Sequence, residues 1–111
     1  MTGSQSADTP ALIWCPFPDL ASARSAANCL LDEGLIACAN MLPDMHSLFA
    51  WNGRRDEGKE TGVLLKTNAA KLDRAISRLA ELHSYDEPAI LGWHCDAAAP
   101  GTVAWLGALG Q

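Results

Sequence analysis

The thiol of Cys15 and the imidazole of His83 are the side chains in this sequence best suited to chemistry. Cys15 closes an apolar run and His83 closes a run with helical spacing. A first strand and a second helix that end at one rim of a domain would bring them together, within one subunit or across an interface. Thiolate and imidazole suit copper or zinc by softness and geometry. Two protein ligands fall short of the four that a structural zinc takes, so Asp86, Glu87 or a neighbouring subunit would have to supply a third. The competing account is a buried Cys15 and a His83 that caps its helix at the negative end of the dipole. His94-Cys95-Asp96 offers a second cluster, but adjacent strand residues point to opposite faces and do not easily share an ion. A Cys–His nucleophile would need a base, an orienting group and an oxyanion hole. Asn40 is the candidate for orienting a base, but the sequence has no Walker loop, no dinucleotide fingerprint and no nucleophile elbow. The chain therefore does not read as an enzyme.

The elements that position these residues follow from periodicity and breakers. Ala11 to Cys15 reads as a strand closed by Pro16 and Pro18, since proline lacks the ladder donor. Asp19 fits a helix N-cap, and Leu20, Ala23, Ala27, Leu30 and Leu31 recur at helical spacing up to Gly34, giving a helix over 19–33. Two long strand-like runs, 36–51 and 54–67, flank Asn52-Gly53, the strongest short hairpin signal. Leu72, Ile76, Leu79 and Leu82 mark a second helix capped by Thr67 or Asn68. Ala89 to Cys95 reads as a fourth strand, and Pro100 suits the first turn of a terminal helix. The order β-α-β-β-α-β is the split βαβ pattern of a ferredoxin-like α+β domain. It predicts a sheet ordered 4-1-3-2 with the two crossover helices on one face.

With 111 residues the chain fits one domain, and a net charge of −5 disfavours phosphate backbones, so no nucleic-acid partner is expected. Arg54 and Arg55 sit among Asp56, Glu57 and Glu60, a solvated mixed-charge turn. No run approaches the roughly 20 apolar residues of a membrane span, so no membrane partner is expected. Residues 1–10 have no basic stretch followed by an apolar one, and read as a disordered leader before a single domain over 11–111. Cys15, Cys29, Cys38 and Cys95 form no C-x-x-C pair, which suits free thiols in a reducing cytoplasm.

The hairpin arms are the outliers. At about 14 to 16 residues they far exceed the usual strand of about 5 to 6, and a two-layer domain of this size cannot cover them. Their distal part holds Phe49, Ala50 and Trp51. Bare edges and apolar tips invite association with sister chains. The alternative is a hairpin that bends at Pro43 and folds back on its own domain.

Taken in register, several pieces resemble the CutA divalent-cation tolerance family over roughly 11–109. They are Ala37-Cys38-Ala39-Asn40, Ser47, Trp51, Gly53, Glu60, Lys66-Thr67, His83-Ser84-Tyr85, Pro88 and Trp105-Leu106. The resemblance implies a ferredoxin-like fold and a homotrimer knitted by the long hairpins. It also implies a cytoplasmic setting and a role in tolerance to copper and other divalent ions, with copper(II) bound in some members. Cys15 and His83 match positions proposed as copper ligands in that family. Trp51, Glu60, Lys66 and Tyr85 are candidates for lining an inter-subunit cleft, or else are satisfied interface residues. The chain departs from the family pattern at Phe49 and Thr102, where tyrosine is common, at Ser84, where proline is common, and at Leu82, where some metal-binding members carry a second histidine. The expected function is thus a trimeric cation-tolerance protein that binds copper(II) or another divalent ion weakly and needs no cofactor to fold. The alternatives are a PII-like small-molecule sensor with its ligand in the inter-subunit cleft, and a purely structural trimer that anchors a partner.

Overall fold

The computed structural model describes residues 6–110. Seven elements follow in order: β1 (Pro10–Phe17), α1 (Leu20–Asp32), β2 (Cys38–Trp51), β3 (Arg54–Asn68), α2 (Leu72–Leu82), β4 (Leu91–His94) and α3 (Pro100–Gly107). The four strands form one antiparallel sheet ordered β2-β3-β1-β4, the 4-1-3-2 order that the split βαβ pattern predicts.

Local chemistry explains most boundaries. Asp19 takes the N-cap of α1, its carboxylate accepting from the Ser22 amide at 2.8 Å. At the other end Gly34 adopts φ 70°. The Gly34 amide then donates to the Leu31 carbonyl and the Leu35 amide to the Leu30 carbonyl, a Schellman closure. Asn52 and Gly53 hold φ 53° and 75°, so the hairpin turns on two left-handed residues whose twist matches its strands.

Several boundaries differ from the sequence reading. β1 does not stop at Cys15; it runs through Pro16, paired with Gly62, to Phe17. The long hairpin does not fold back at Pro43. One extra residue on β2 between Leu42 and Met45 is absorbed as a bulge, with Asp44 at φ 60°, and the ladder continues to Trp51 opposite Arg54. Neither Thr67 nor Asn68 is the N-cap of α2, a position that falls to Lys71 with no side-chain bond. The Thr67 hydroxyl instead donates to the Leu35 carbonyl, while Asn68 accepts from the Lys71 amide and donates to the Leu106 carbonyl of α3. Of the leader over 1–10, residues 1–5 lie outside the described residues. Ala7 and Thr9 accept amide hydrogen bonds from Ala70 and Ala69, and Pro10 begins β1, so residues 7–10 are part of the fold.

The core lies between the sheet and helices α1 and α2. Ala11, Ile13, Cys15 and Phe17 of β1 meet Val63 and Leu65 of β3, beneath Ala23, Ala26 and Leu30 of α1 and Leu72, Ala75 and Leu79 of α2. The stripe of α1 is narrower than its leucines suggest, since Leu20 and Leu31 stay exposed. Strand alternation sends Leu12, Trp14, Leu64, Lys66, Asn40, Leu42, Leu91 and Trp93 to the opposite face. Neither α1 nor α2 covers that face, where Leu42 is 53% exposed, Leu91 62% and Trp93 44%. β1 pairs with β3 only over Thr61–Asn68, so the distal arms from Met45 to Glu60 have each other as their ladder.

Candidate functional site

Pro16 sets the geometry of the rim where β1 ends. The Cys95 amide donates to the Pro10 carbonyl, so residues 10, 12, 14 and 16 of β1 turn their backbone groups toward β4, because both backbone groups of a strand residue face one edge. Continuing the β1–β4 register past Trp14–Leu91 would put Ala89 opposite Pro16. Proline offers no donor there. β4 is accordingly shorter than the predicted 89–95, spanning Leu91–His94, and the Pro16 carbonyl is left without a strand partner.

His83 fills that gap. It is the C-cap residue of α2, with its backbone already extended, and its ring is buried. Nε2 lies 2.8 Å from the Pro16 carbonyl oxygen, and Nδ1 lies 3.1 Å from the Tyr85 amide nitrogen. A carbonyl only accepts and an amide N–H only donates. The ring is therefore the neutral tautomer with its proton on Nε2. Phe17 stacks on it at 4.2 Å between ring centroids, and Tyr85 lies against it at 4.8 Å. The fully buried Cys15 thiol donates to the same Pro16 carbonyl at 3.6 Å. Burial, and secondarily the Glu60 carboxylate, push Cys15 up to about 12. The Tyr85 hydroxyl donates to Glu60 at 2.9 Å, and burial together with that hydrogen bond pushes Tyr85 up to about 12 as well. Beside this cluster a shallow depression of about 170 Å³ runs between Pro18–Leu20 and the bulge at Pro43–Asp44, with Glu60 on its wall.

The structure thus brings Cys15, His83, Glu60 and Tyr85 to one rim and leaves the other candidates elsewhere. Asp86 and Glu87 are exposed. Trp51 sits opposite Arg54, six positions along β3 from Glu60, or roughly 20 Å at strand rise. Lys66, opposite Leu12 and Cys38, is six positions the other way. Four cleft residues within a single chain are therefore reduced to one contact, Glu60 with Tyr85. Asn40 accepts from the Cys38 thiol at 3.5 Å and orients no histidine. His94 ends β4 and is exposed, Cys95 follows it partly buried, and burial raises the Cys95 thiol above its usual range.

The groups that complete the rim, the Pro16 carbonyl and the Tyr85 amide, belong to the backbone and carry no side-chain signature. The signal that pointed to them was Pro16 itself, one residue after Cys15 on an edge that β4 would otherwise pair.

A divalent ion fits these residues poorly. The thiol is protonated and buried, both imidazole nitrogens are engaged, and among the described residues no group of three or more His, Cys, Asp or Glu side chains could hold a metal.

Four antiparallel strands in this order, two helices on one face and an outsized β2–β3 hairpin define a ferredoxin-like α+β module. The family profile described as CutA1 divalent ion tolerance protein matches residues 11–108, and the chain belongs to that family. It is 38% identical over 95 residues to the divalent-cation tolerance protein CutA of Pyrococcus horikoshii, covering 86% of this chain and 92% of that one. Its fold superposes on CutA from Xylella fastidiosa with a TM-score of 0.84 at 34% identity, over 88% and 94% of the two chains. The periplasmic divalent cation tolerance protein CutA from Archaeoglobus fulgidus matches with a TM-score of 0.82 at 27% identity, over 87% and 94%. The family is named for ion tolerance and not for a catalysed reaction. Among the described residues no helix is long and apolar enough to cross a membrane.

Proposed function

We propose that this chain works as a homotrimeric divalent-cation tolerance protein in the cytoplasm, assembled through the sheet face that α1 and α2 leave bare and through the distal arms of the long hairpin. The observation that carries this reading is that exposed Leu42, Leu91 and Trp93 on that face are continued along the arms by exposed Phe49 and Trp51 on the same side, with Leu48 exposed on the other. An apolar surface of this kind on a small domain marks an association site, and three sister chains would give the unpaired strand edges partners. Assembly would also bring Trp51 and Lys66 of one chain within reach of Glu60 and Tyr85 of another, which a single chain does not achieve. Light scattering coupled to size exclusion tests the reading. A mass of three chains at micromolar concentration is expected, and a single-chain mass rejects it. Any copper(II) held by Cys15 and His83 would have to displace a proton and two hydrogen bonds, so this reading assigns the pair weak coordination at most.

A second reading is a PII-like small-molecule sensor. The depression beside Glu60 and Tyr85 favours it, and Asp19, Asp44 and Glu60 on its walls, against the one cation Lys59, favour a cationic or neutral polar ligand over a nucleotide. A thermal-shift screen discriminates, because a ligand of the native state raises apparent stability. A polar amine that raises Tm while copper(II) does not would move the assignment to the sensor, and copper(II) alone raising it would remove the sensor.

A further inference from the structure

We propose that Cys15 and His83 form a hydrogen-bonded latch at the end of β1, at the rim where a thiol and an imidazole would otherwise suggest a divalent-ion centre. Lone pairs decide between the two. Metal-binding imidazole must offer an unprotonated nitrogen, and here that nitrogen is Nδ1, already accepting from the Tyr85 amide. Coordination through Nε2 would require its proton to move to Nδ1, where it would face the Tyr85 N–H donor head on. It would also strip the Pro16 carbonyl of its 2.8 Å partner. Cys15 would have to surrender its proton in a fully buried position with the Glu60 carboxylate nearby. Glu60, a carboxylate at the same rim, is engaged by the Tyr85 hydroxyl, and the residue beside His83 on α2 is Leu82, which offers no second imidazole. Phe17 and Tyr85 pack against the ring. The two ring nitrogens, the Cys15 thiol, the Pro16 carbonyl and the Tyr85 hydroxyl are thus all matched inside the protein. The latch ties the end of α2, which no ladder reaches, to the end of β1 and, through Tyr85 and Glu60, to β3 at the point where it leaves its pairing with β1. His83 is in this sense a positioning residue, since it fixes the Tyr85 amide and with it the ring whose hydroxyl meets Glu60.

This inference is independent of the trimer reading, and a chain that proved monomeric would leave it standing. The test is a long-range proton–nitrogen correlation spectrum of the histidine rings in nitrogen-15-labelled wild-type protein, before and during addition of zinc(II). The expected result is an Nε2-protonated His83 whose ring signals stay in place through a molar excess of zinc(II), while those of the exposed His46 and His94 broaden or move. A His83 that rests with its proton on Nδ1, or whose signals shift in step with the first equivalent of zinc(II), overturns the proposal. Hydrogen exchange of the Tyr85 amide gives a second readout. His83→Ala should speed it roughly tenfold or more, the effect of one lost hydrogen bond. His83→Gln, which keeps a donor and an acceptor near the same places, should recover part of the protection. Equal exchange in wild type and His83→Ala removes the positioning role.

Discussion

At the level of single residues, the rim is held by protonation states that hydrogen bonding and burial impose together. Cys15 rises from an ordinary 9.0 to about 12, and Tyr85 from 10.0 to about 12. For both groups the native state binds its proton more tightly than the unfolded chain does. Their stabilising contribution is therefore complete below pH 9. It declines as the unfolded chain begins to ionise and is gone by pH 12. Because Cys15 is fully buried, its share is of order 4 kcal/mol at most. Denaturant unfolding at a series of alkaline pH values checks this. Wild type should lose stability steeply from pH 9 to 12, and Cys15→Ser should show a shallower slope because the serine hydroxyl does not ionise in that window. Equal slopes would mean that the buried thiol does not govern the alkaline limb. In the native protein the thiol should also react with alkylating reagents far more slowly than the partly exposed Cys29 and Cys38, since the thiolate is the nucleophile.

Among the elements, two helices lie close to one face of a sheet because the contact residues are small. Ala23, Ala26 and Ala27 give α1 a flat underside. Gly92 does the same for α2 from the side of β4, since a Cβ there would come within 2.8 Å of the Ile76 Cδ1 atom and 3.0 Å of the Leu72 Cδ1 atom. Leu79 is the central anchor of α2, fully buried beneath this layer. Leu79→Ala should cost about 3 kcal/mol, the sum of lost transfer energy and a cavity that a close-packed sheet cannot collapse. Chemical denaturation should show the midpoint falling without a change in slope. A loss under 1 kcal/mol would mean that α2 shifts to fill the space. The outer layer includes one well-formed ion pair, Arg78 with Glu33 at 2.9 Å, which ties the end of α1 to α2 and holds the Glu33 carboxyl below its ordinary range. Both groups are on the surface, so the pair fixes helix orientation more than it adds stability.

The whole molecule is best described by what it leaves uncovered. Its distal hairpin projects beyond the four-stranded part of the sheet, and one sheet face carries tryptophan and leucine toward solvent. If that face is the seam between copies, a charge placed on it should separate them without disturbing the core. Trp93→Glu, at a position 44% exposed in the single chain, should reduce the scattering mass from three chains toward one while leaving the helical circular dichroism of each chain intact. A variant that keeps the trimer mass would move the seam away from β4. The terminal helix α3 is apolar on most sides and leaves Trp105 half exposed. A helix of that composition is usually buried, which agrees with an assembly that covers more of this surface than the chain covers alone.

Much of this architecture was legible in the linear sequence, for a specific reason. The cap at Asp19, the closure at Gly34, the turn at Asn52-Gly53 and the break at Pro100 are decided by a residue's own backbone preferences and by groups within four positions of it. The order of strands follows from their sequence plus the handedness of crossovers. Even the proximity of Cys15 and His83 could be inferred, because each stands at the end of an element whose direction was known. Their chemistry could not be. It depended on Pro16, read locally as the end of a strand, which the sheet instead retains with a carbonyl turned to an edge that β4 abandons. Which nitrogen of His83 holds a proton was decided by that carbonyl and by the Tyr85 amide, one of them 67 positions away along the chain. Residue types and spacing determined which groups would meet. Only the tertiary fold decided that they meet as hydrogen-bond donors, because a backbone acceptor becomes a site when a distant segment fails to pair with it.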